Sequence, residues 1–195
     1  RRSRRRFGGI LQTCALLDVD LAHGRGELGT LRGATLVRPW SNILRNLRKI
    51  GLASAGLELV RELIPAREPD SGVFDTVVAF LDRLDGAASA EEALLFAFEV
   101  RLLGLAGFAP GLLACGRCGK RPADGQAALF DPSAGGIVCR ACGGGSVQLS
   151  ARIRAALVQA TSDRWLQAIS SLDAAEQVAV SEVVAEFTSH RLRRR

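Results

Sequence analysis

Alternating apolar residues over positions 15–38, an apolar period of 3.6 residues recurring between 41 and 187, and two CxxC pairs separated by a 20-residue insert predict an α+β chain. A short antiparallel sheet comes first, at about 1–40. A mainly α-helical domain follows over 41–195, and a compact four-cysteine module at about 112–148 is inserted into it. The 195 residues are 48% apolar, enough for one or two ordinary cores.

The sheet is read from ALLDVDLA, where Leu17, Val19 and Leu21 share one side and Asp18 and Asp20 the other. A turn through His23, Gly24, Arg25 and Gly26 leads into a second strand in ELGTLRGATLVR, which ends before Pro39. The segment from Phe7 to Leu11 supplies a third strand. Three strands are a fragment of a sheet, too few to close a small barrel. Cys14, in a strand-like stretch far from the other cysteines, reads as a small buried apolar residue.

From Ser41 the pattern turns helical. Ser41 is placed to cap one long helix whose Leu44, Leu47, Ile50, Leu57, Val60 and Ile64 form an apolar stripe, stopped by Pro65. A second helix spans about Val73 to Leu84, preceded by Asp70 and Ser71 and followed by Gly86. A third opens on the capping-box pair Ser89 and Glu92 and runs through Leu94, Leu95, Phe98 and Leu102 to about Gly107. It is apolar on nearly every side and so predicts the buried centre of a bundle, with Glu99 and Arg101 paired to neighbours or snorkelling. Helices resume at Ser150. The last starts near Asp173, with Glu176 three residues on, and sets Val180, Val183, Val184 and Phe187 on one face.

The cysteines carry the sharpest chemistry. Cys115 and Cys118 in CGRC, and Cys139 and Cys142 in CRAC, put four thiolates where one tetrahedral ion can hold them. A two-residue spacer lets a tight turn aim both sulfurs of a pair at one point. The insert contains Pro122, Asp131-Pro132 and Gly135-Gly136, and its FDPSAGGIVC segment reads as a hairpin, the layout of a zinc ribbon. One structural Zn2+ is the reading this pattern favours, with four protein ligands leaving no open position for a substrate. Two disulfides or idle thiols are the competing readings.

Charge is unevenly placed. Residues 1–50 hold 11 basic side chains against 3 acidic, whereas 51–190 hold 11 against 17. A basic end on an acidic body points to a polyanion, nucleic acid first. Arg1, Arg2, Arg4, Arg5 and Arg6 in RRSRRRFGG suit both phosphates and bases, since guanidinium binds phosphate through paired hydrogen bonds and stacks on rings. Arg25 in the hairpin turn joins them, as do Arg45, Arg48 and Lys49, which fall together on the first helix. A frayed terminus and a solvated helix face are the bland alternatives.

No catalytic constellation emerges. His23 and His190 have no nucleophile partner in the pattern, and neither a P-loop nor a dinucleotide glycine fingerprint occurs, so the chain is expected not to be an enzyme. No apolar run reaches the roughly 18 residues that span a bilayer, and no signal peptide is evident, which predicts a soluble intracellular protein with reduced cysteines. The absence of methionine predicts a chain that begins part-way through a longer one or has been trimmed.

The order RRSRRRFGG, HGRGELGTLRGATLV, a long helix, FAFEVRLLGLAGFAP, CGRC, FDPSAGGIVC and CRAC resembles the bacterial RecO family of recombination mediators over all 195 residues. The resemblance implies that residues 1–40 are the C-terminal part of an OB fold, followed by the helical domain with its zinc module. It implies a non-catalytic DNA repair and recombination mediator in the cytoplasm, at the nucleoid. Such a protein binds single- and double-stranded DNA, anneals complementary strands, contacts the C-terminal tail of single-stranded DNA-binding protein, and with RecR helps load RecA. The RRSRRR arginines and the four cysteines are what carries over residue by residue. A zinc-ribbon interaction module of transcription or RNA metabolism is the alternative, and a zinc-dependent enzyme a further one.

Overall fold

The computed structural model describes residues 9–23, 29–65, 70–89, 92–123, 125–168 and 172–192. The chain divides into two compact units, residues 1–54 with 81–90, and residues 55–80 with 91–195.

In the first unit the alternating sequence forms β1 (Ala15–His23) and β2 (Gly29–Pro39), an antiparallel hairpin pairing Leu17 with Leu36, Val19 with Ala34 and Leu21 with Leu31. The register slips twice, leaving Arg32 and Val37 as extra residues of β2, the bulge geometry that bends and twists a ribbon. The turn with Gly24, Arg25 and Gly26 lies outside the described residues. The apolar side of the hairpin is open: Val19, Leu21 and Leu36 are each more than a third exposed. The predicted third strand is not found at residues 9–11, which form a turn and a bend; Phe7 and Gly8 lie outside the described residues. Cys14 is half-buried, with a left-handed φ of 53° at the entry to β1, and burial together with the charge of Asp85 pushes its thiol up.

The long first helix predicted from Ser41 is broken. It consists of α1 (Ser41–Leu44) and α2 (Leu47–Leu63), because the side-chain oxygen of Asn46 accepts from the backbone N–H of Arg48 (3.0 Å) and Lys49 (3.2 Å) and starts a new helix. The break shifts the phase of the apolar stripe, so Leu44 and Leu47 face solvent, Leu47 at 84% exposure. Ser41 caps nothing. The orphan N–H groups of Asn42 and Ile43 are instead taken by Asp85 Oδ1, at 2.8 and 3.0 Å.

Asp85 stands near the end of α3 (Ser71–Gly86), whose start is capped by Asp70 through Val73 N–H. One turn earlier on α3, Asp82 accepts from the Trp40 indole N–H (2.7 Å) and from Arg38. Burial pushes the Asp82 carboxyl up, but the hydrogen bonds from Arg38 and Trp40 win and hold it below the usual carboxylate range. Lys49, only 3% exposed, donates to the carbonyls of Asp85 (3.2 Å) and Ala87 (2.6 Å), where the helix leaves carbonyls without intrahelical partners. Trp40, Ile43, Ala53, Leu81 and Leu84 form the apolar core beneath this polar seam.

The second unit is built around α4 (Glu92–Leu105), which buries Leu94, Ala97, Phe98, Val100, Leu102 and Leu103 as its all-round apolar sequence requires. Its C-terminus closes with Phe108 N–H on the Leu103 carbonyl and Gly107 at φ 78°, a left-handed glycine cap. Phe98 stacks on Phe80 at 4.4 Å and meets Trp165 at 6.0 Å. Against α4 pack α5 (Ala151–Ala160), capped by Ser150 through Ile153 N–H, and α6 (Ala174–Leu192). Asp173 and Glu176 form a reciprocal capping box at 2.9 and 3.1 Å, and Val180, Val183, Val184 and Phe187 are buried as predicted. Arg101 is paired, donating to the Thr161 carbonyl (2.8 Å) and to Asp163 (2.6 Å).

Between α4 and α5 lies a three-stranded antiparallel sheet of order β4-β3-β5, made of β3 (Ala128–Asp131), β4 (Gly136–Ile137) and β5 (Val147–Leu149). The predicted FDPSAGGIVC hairpin is β3 and β4. Asp131 holds its turn by accepting from Ser133 and Ala134, and Phe130 inserts against Phe187 of α6, with ring centroids 5.9 Å apart.

This packing sets two expectations for stability. Asp85→Ala removes the side-chain cap on α1 and should cost about 1–2 kcal/mol in urea unfolding, while Ser41→Ala should be nearly neutral. Burial pushes the Glu99 carboxyl up, with the Thr188 hydroxyl, short of full hydrogen-bond geometry, pulling the other way. A raised folded-state pKa means the folded protein holds its proton longer than the unfolded chain, so this group costs stability as pH rises above the unfolded carboxylate range. Glu99→Gln should therefore melt higher than the parent at pH 8, with the gap closing towards pH 4.

Candidate metal centre and cationic surfaces

The two cysteine pairs are brought together by β4. Gly111 N–H donates to the Gly135 carbonyl (2.9 Å), Ile137 N–H to Gly111 (2.8 Å) and Gly116 N–H to Ile137 (2.9 Å), so the segment leading to Cys115 runs alongside the strand leading to Cys139. Gly136 is required for this approach, because a Cβ there would lie 2.7 Å from the Gly111 carbonyl oxygen.

Each pair is then folded into a knuckle. Gly119 N–H returns to the Cys115 carbonyl (2.9 Å) and Cys115 N–H to Lys120 (2.9 Å); in the second, Cys142 and Gly144 N–H both return to the Cys139 carbonyl, at 2.9 and 3.0 Å. Gly119, Gly143 and Gly144 all have φ between 73° and 104°, the left-handed backbone such tight returns demand. Arg117 crosses from the first knuckle to the Cys142 carbonyl at 2.5 Å.

The result is a cluster in which the four sulfurs of Cys115, Cys118, Cys139 and Cys142 lie within 4.8 Å of one another. Cys118 Sγ and Cys139 Sγ are 3.7 Å apart. A tetrahedron with metal–sulfur bonds of ~2.3 Å has edges of about 3.8 Å, so the residues present fit one ion. Cys115 is buried and Cys118 exposed. Backbone N–H groups of Cys139, Cys118 and Arg117 point at Cys115 and draw its thiol down to about 6; the Cys139 N–H reaches the sulfur at 3.4 Å. Cys142 is pushed up to about 12, because its thiol proton is shared with the sulfurs of Cys139 and Cys118. Four thiolates in so small a space repel one another, and a dication is what allows all four to ionise.

The arginines proposed as nucleic-acid contacts are placed unevenly. Arg1, Arg2, Arg4, Arg5, Arg6 and Arg25 lie outside the described residues. Arg45 and Arg48 are exposed, but Lys49 does not join them: its ammonium is buried and bonded to the two carbonyls at the end of α3, which removes it from the predicted phosphate track. Sequence spacing could not show this, since the partners are 36 and 38 residues away. A basic group absent from the sequence-based candidates is Lys120, Arg121 and Arg140, all exposed on the knuckles; their position directly beside the cysteines was the available signal. No described helix is long and apolar enough to cross a membrane.

Comparison with known proteins adds family context to this geometry. The family profile described as Recombination protein O C terminal matches residues 44–195. The chain is 36% identical, over its whole length and 78% of the relative, to the DNA repair protein RecO of Anaeromyxobacter sp. (strain K). It is also 38% identical to that of Pelobacter propionicus, over 74% of this chain and 57% of the relative, and 38% identical to that of Geobacter sulfurreducens, over 77% and 61%.

The cluster generates a direct test. Stripping the metal with a chelator, or replacing Cys142 by Ser, should lower the melting temperature markedly and abolish the metal found by elemental analysis. Uptake of a dication at neutral pH should release protons, and metal occupancy should fall as the pH is lowered, because protons compete with the ion for the thiolates.

Proposed function

The chain belongs to the RecO family of DNA repair proteins, and from that premise we propose that it is a non-catalytic mediator of homologous recombination acting in the cytoplasm at the nucleoid. It binds single- and double-stranded DNA, anneals complementary strands, and with RecR helps RecA load on strands coated by single-stranded DNA-binding protein, whose C-terminal tail it contacts. The observation that carries the reading is the likeness to proteins named DNA repair protein RecO, which extends over the whole chain.

The physical features support this role. A strand of DNA attracts cations without regard to sequence, and binding two strands on one basic surface lowers the repulsion that opposes their pairing. The arginine-rich start of the chain and the exposed Arg45 and Arg48 supply such cations. Annealing makes and breaks no covalent bond, which accords with a chain whose polar side chains serve caps and seams. The residues 1–40 are read as the C-terminal part of an OB fold. The four-sulfur cluster is read as a closed structural Zn2+ site of zinc-ribbon type: Cys115, Cys118, Cys139 and Cys142 would hold the ion, which supplies fold stability rather than a reactive water.

A salt titration of labelled single-stranded DNA binding tests the reading. Replacing Arg1, Arg2, Arg4, Arg5 and Arg6 by Ser should weaken affinity and make the dependence of log K on log salt shallower by about 0.7 for each phosphate that is no longer neutralised. An unchanged slope would take those arginines out of the interface, and no binding by the parent chain would overturn the DNA reading itself.

A further inference from the structure

We propose that the cysteine module carries a phosphate-binding rim for double-stranded DNA, formed by Lys120, Arg121 and Arg140; this rests on the DNA-binding reading above and adds a second surface to it. The rim borders a cleft of about 510 Å³ beside the knuckles. Lys120 and Arg121 come from the first knuckle, Arg140 from the second, and the amides of Gln126 and Gln148 stand with them. No carboxylate lines the cleft among the described residues. Asp131, on the neighbouring turn, has its carboxylate occupied by Ser133 and Ala134.

The three cations are exposed, and the backbone beneath two of them is fixed. The Lys120 carbonyl accepts from Cys115 N–H at 2.9 Å and the Arg140 carbonyl from Gly143 N–H at 3.1 Å, so the same turns that aim the sulfurs also position the charges. Lysine, arginine and glutamine are among the side chains that contact phosphate and sugar in DNA complexes.

The choice of duplex follows from what the cleft lacks. Pro122, Leu129, Ile137 and Val138 give it an aliphatic wall with no aromatic ring among the described residues. Unpaired bases gain their affinity from aromatic platforms, and none is offered here. A duplex keeps its bases stacked on one another and carries its phosphates on the outside, which suits a rim of cations and amides. The surface is thus sequence-independent, and it gives an annealing protein a contact with the paired product that differs from its contact with the single strand.

The test uses the full metal-loaded chain and a triple variant, Lys120→Ser, Arg121→Ser and Arg140→Ser, in parallel salt titrations with a blunt duplex and with oligo-dT of equal length. Metal content and melting temperature serve as fold controls, and Arg140→Ser alone takes the place of the triple variant should that one give up its metal. The duplex slope should become shallower by roughly 2 to 3 in the triple variant, at about 0.9 per phosphate neutralised, and by about 0.9 in the single one, while the oligo-dT slope holds. A parent chain that binds neither DNA would overturn the family-based reading and this inference together. A parent chain that binds duplex, with an unchanged slope in a folded variant, would overturn the rim alone. Equal changes on duplex and oligo-dT would overturn the duplex preference. A variant that no longer binds an acidic, apolar peptide yet keeps the parent's duplex slope would reassign the rim to protein.

Discussion

Mutual repulsion among four sulfurs held within 4.8 Å is the constraint on which the inserted module is built. Left to themselves, the four groups settle as one stabilised thiolate at Cys115 and a thiol pushed far up at Cys142. A dication reverses that arrangement and makes the cluster attractive. The module is also part of the core of its unit: Phe130 of β3 packs on Phe187 of α6, and Gly145 passes so close to Phe130 that a Cβ there would lie 2.3 Å from its carbonyl carbon. That sheet links the cysteine cluster to the helix packing, so an ion held there would act on the stability of the helical unit as well as on its own loops.

In the other unit the corresponding device is the end of α3. Two carboxylates, the closing carbonyls of the helix and one ammonium meet there, and each polar group finds a partner. Asp82 ties down the last residues before α1, Asp85 starts α1, and Lys49 closes α3. A buried ammonium in an apolar setting is costly unless its protons are satisfied. Here two carbonyls that α3 cannot use accept from it, which is why a buried lysine is tolerated at this position.

Local patterns make much of this legible. The hairpin, the helices from Asp70, Glu92, Ser150 and Asp173, the capping box and the cysteine module are all readable, because each is set by residues close together in the chain. What cannot be read is decided by partners far along it. Ser41 has the chemistry of a cap, yet Asp85 performs it; Lys49 shares a helical face with Arg45 by spacing, yet its carbonyl partners lie 36 and 38 residues on. The alternation of β1 shows which residues share a side, but not what covers that side. In the described residues it remains open at Val19, Leu21 and Leu36.

The same distinction governs how the positive charge works. Counting residues treats every arginine and lysine alike, whereas a cation already bonded to protein has little to gain from a phosphate. Lys49, Arg38 and Arg101 are bonded to carbonyls or carboxylates and hold the fold together. Arg45 and Arg48 on the first unit and Lys120, Arg121 and Arg140 on the second are exposed. Exposed cations of this kind can neutralise phosphates and release the counterions condensed on a nucleic acid. Contacts of that kind depend on salt rather than on sequence. The hydrogen-bonded seam at the end of α3 and the turns of the cysteine module thus divide the charge in two, cations bonded into the fold and cations left exposed at its surface.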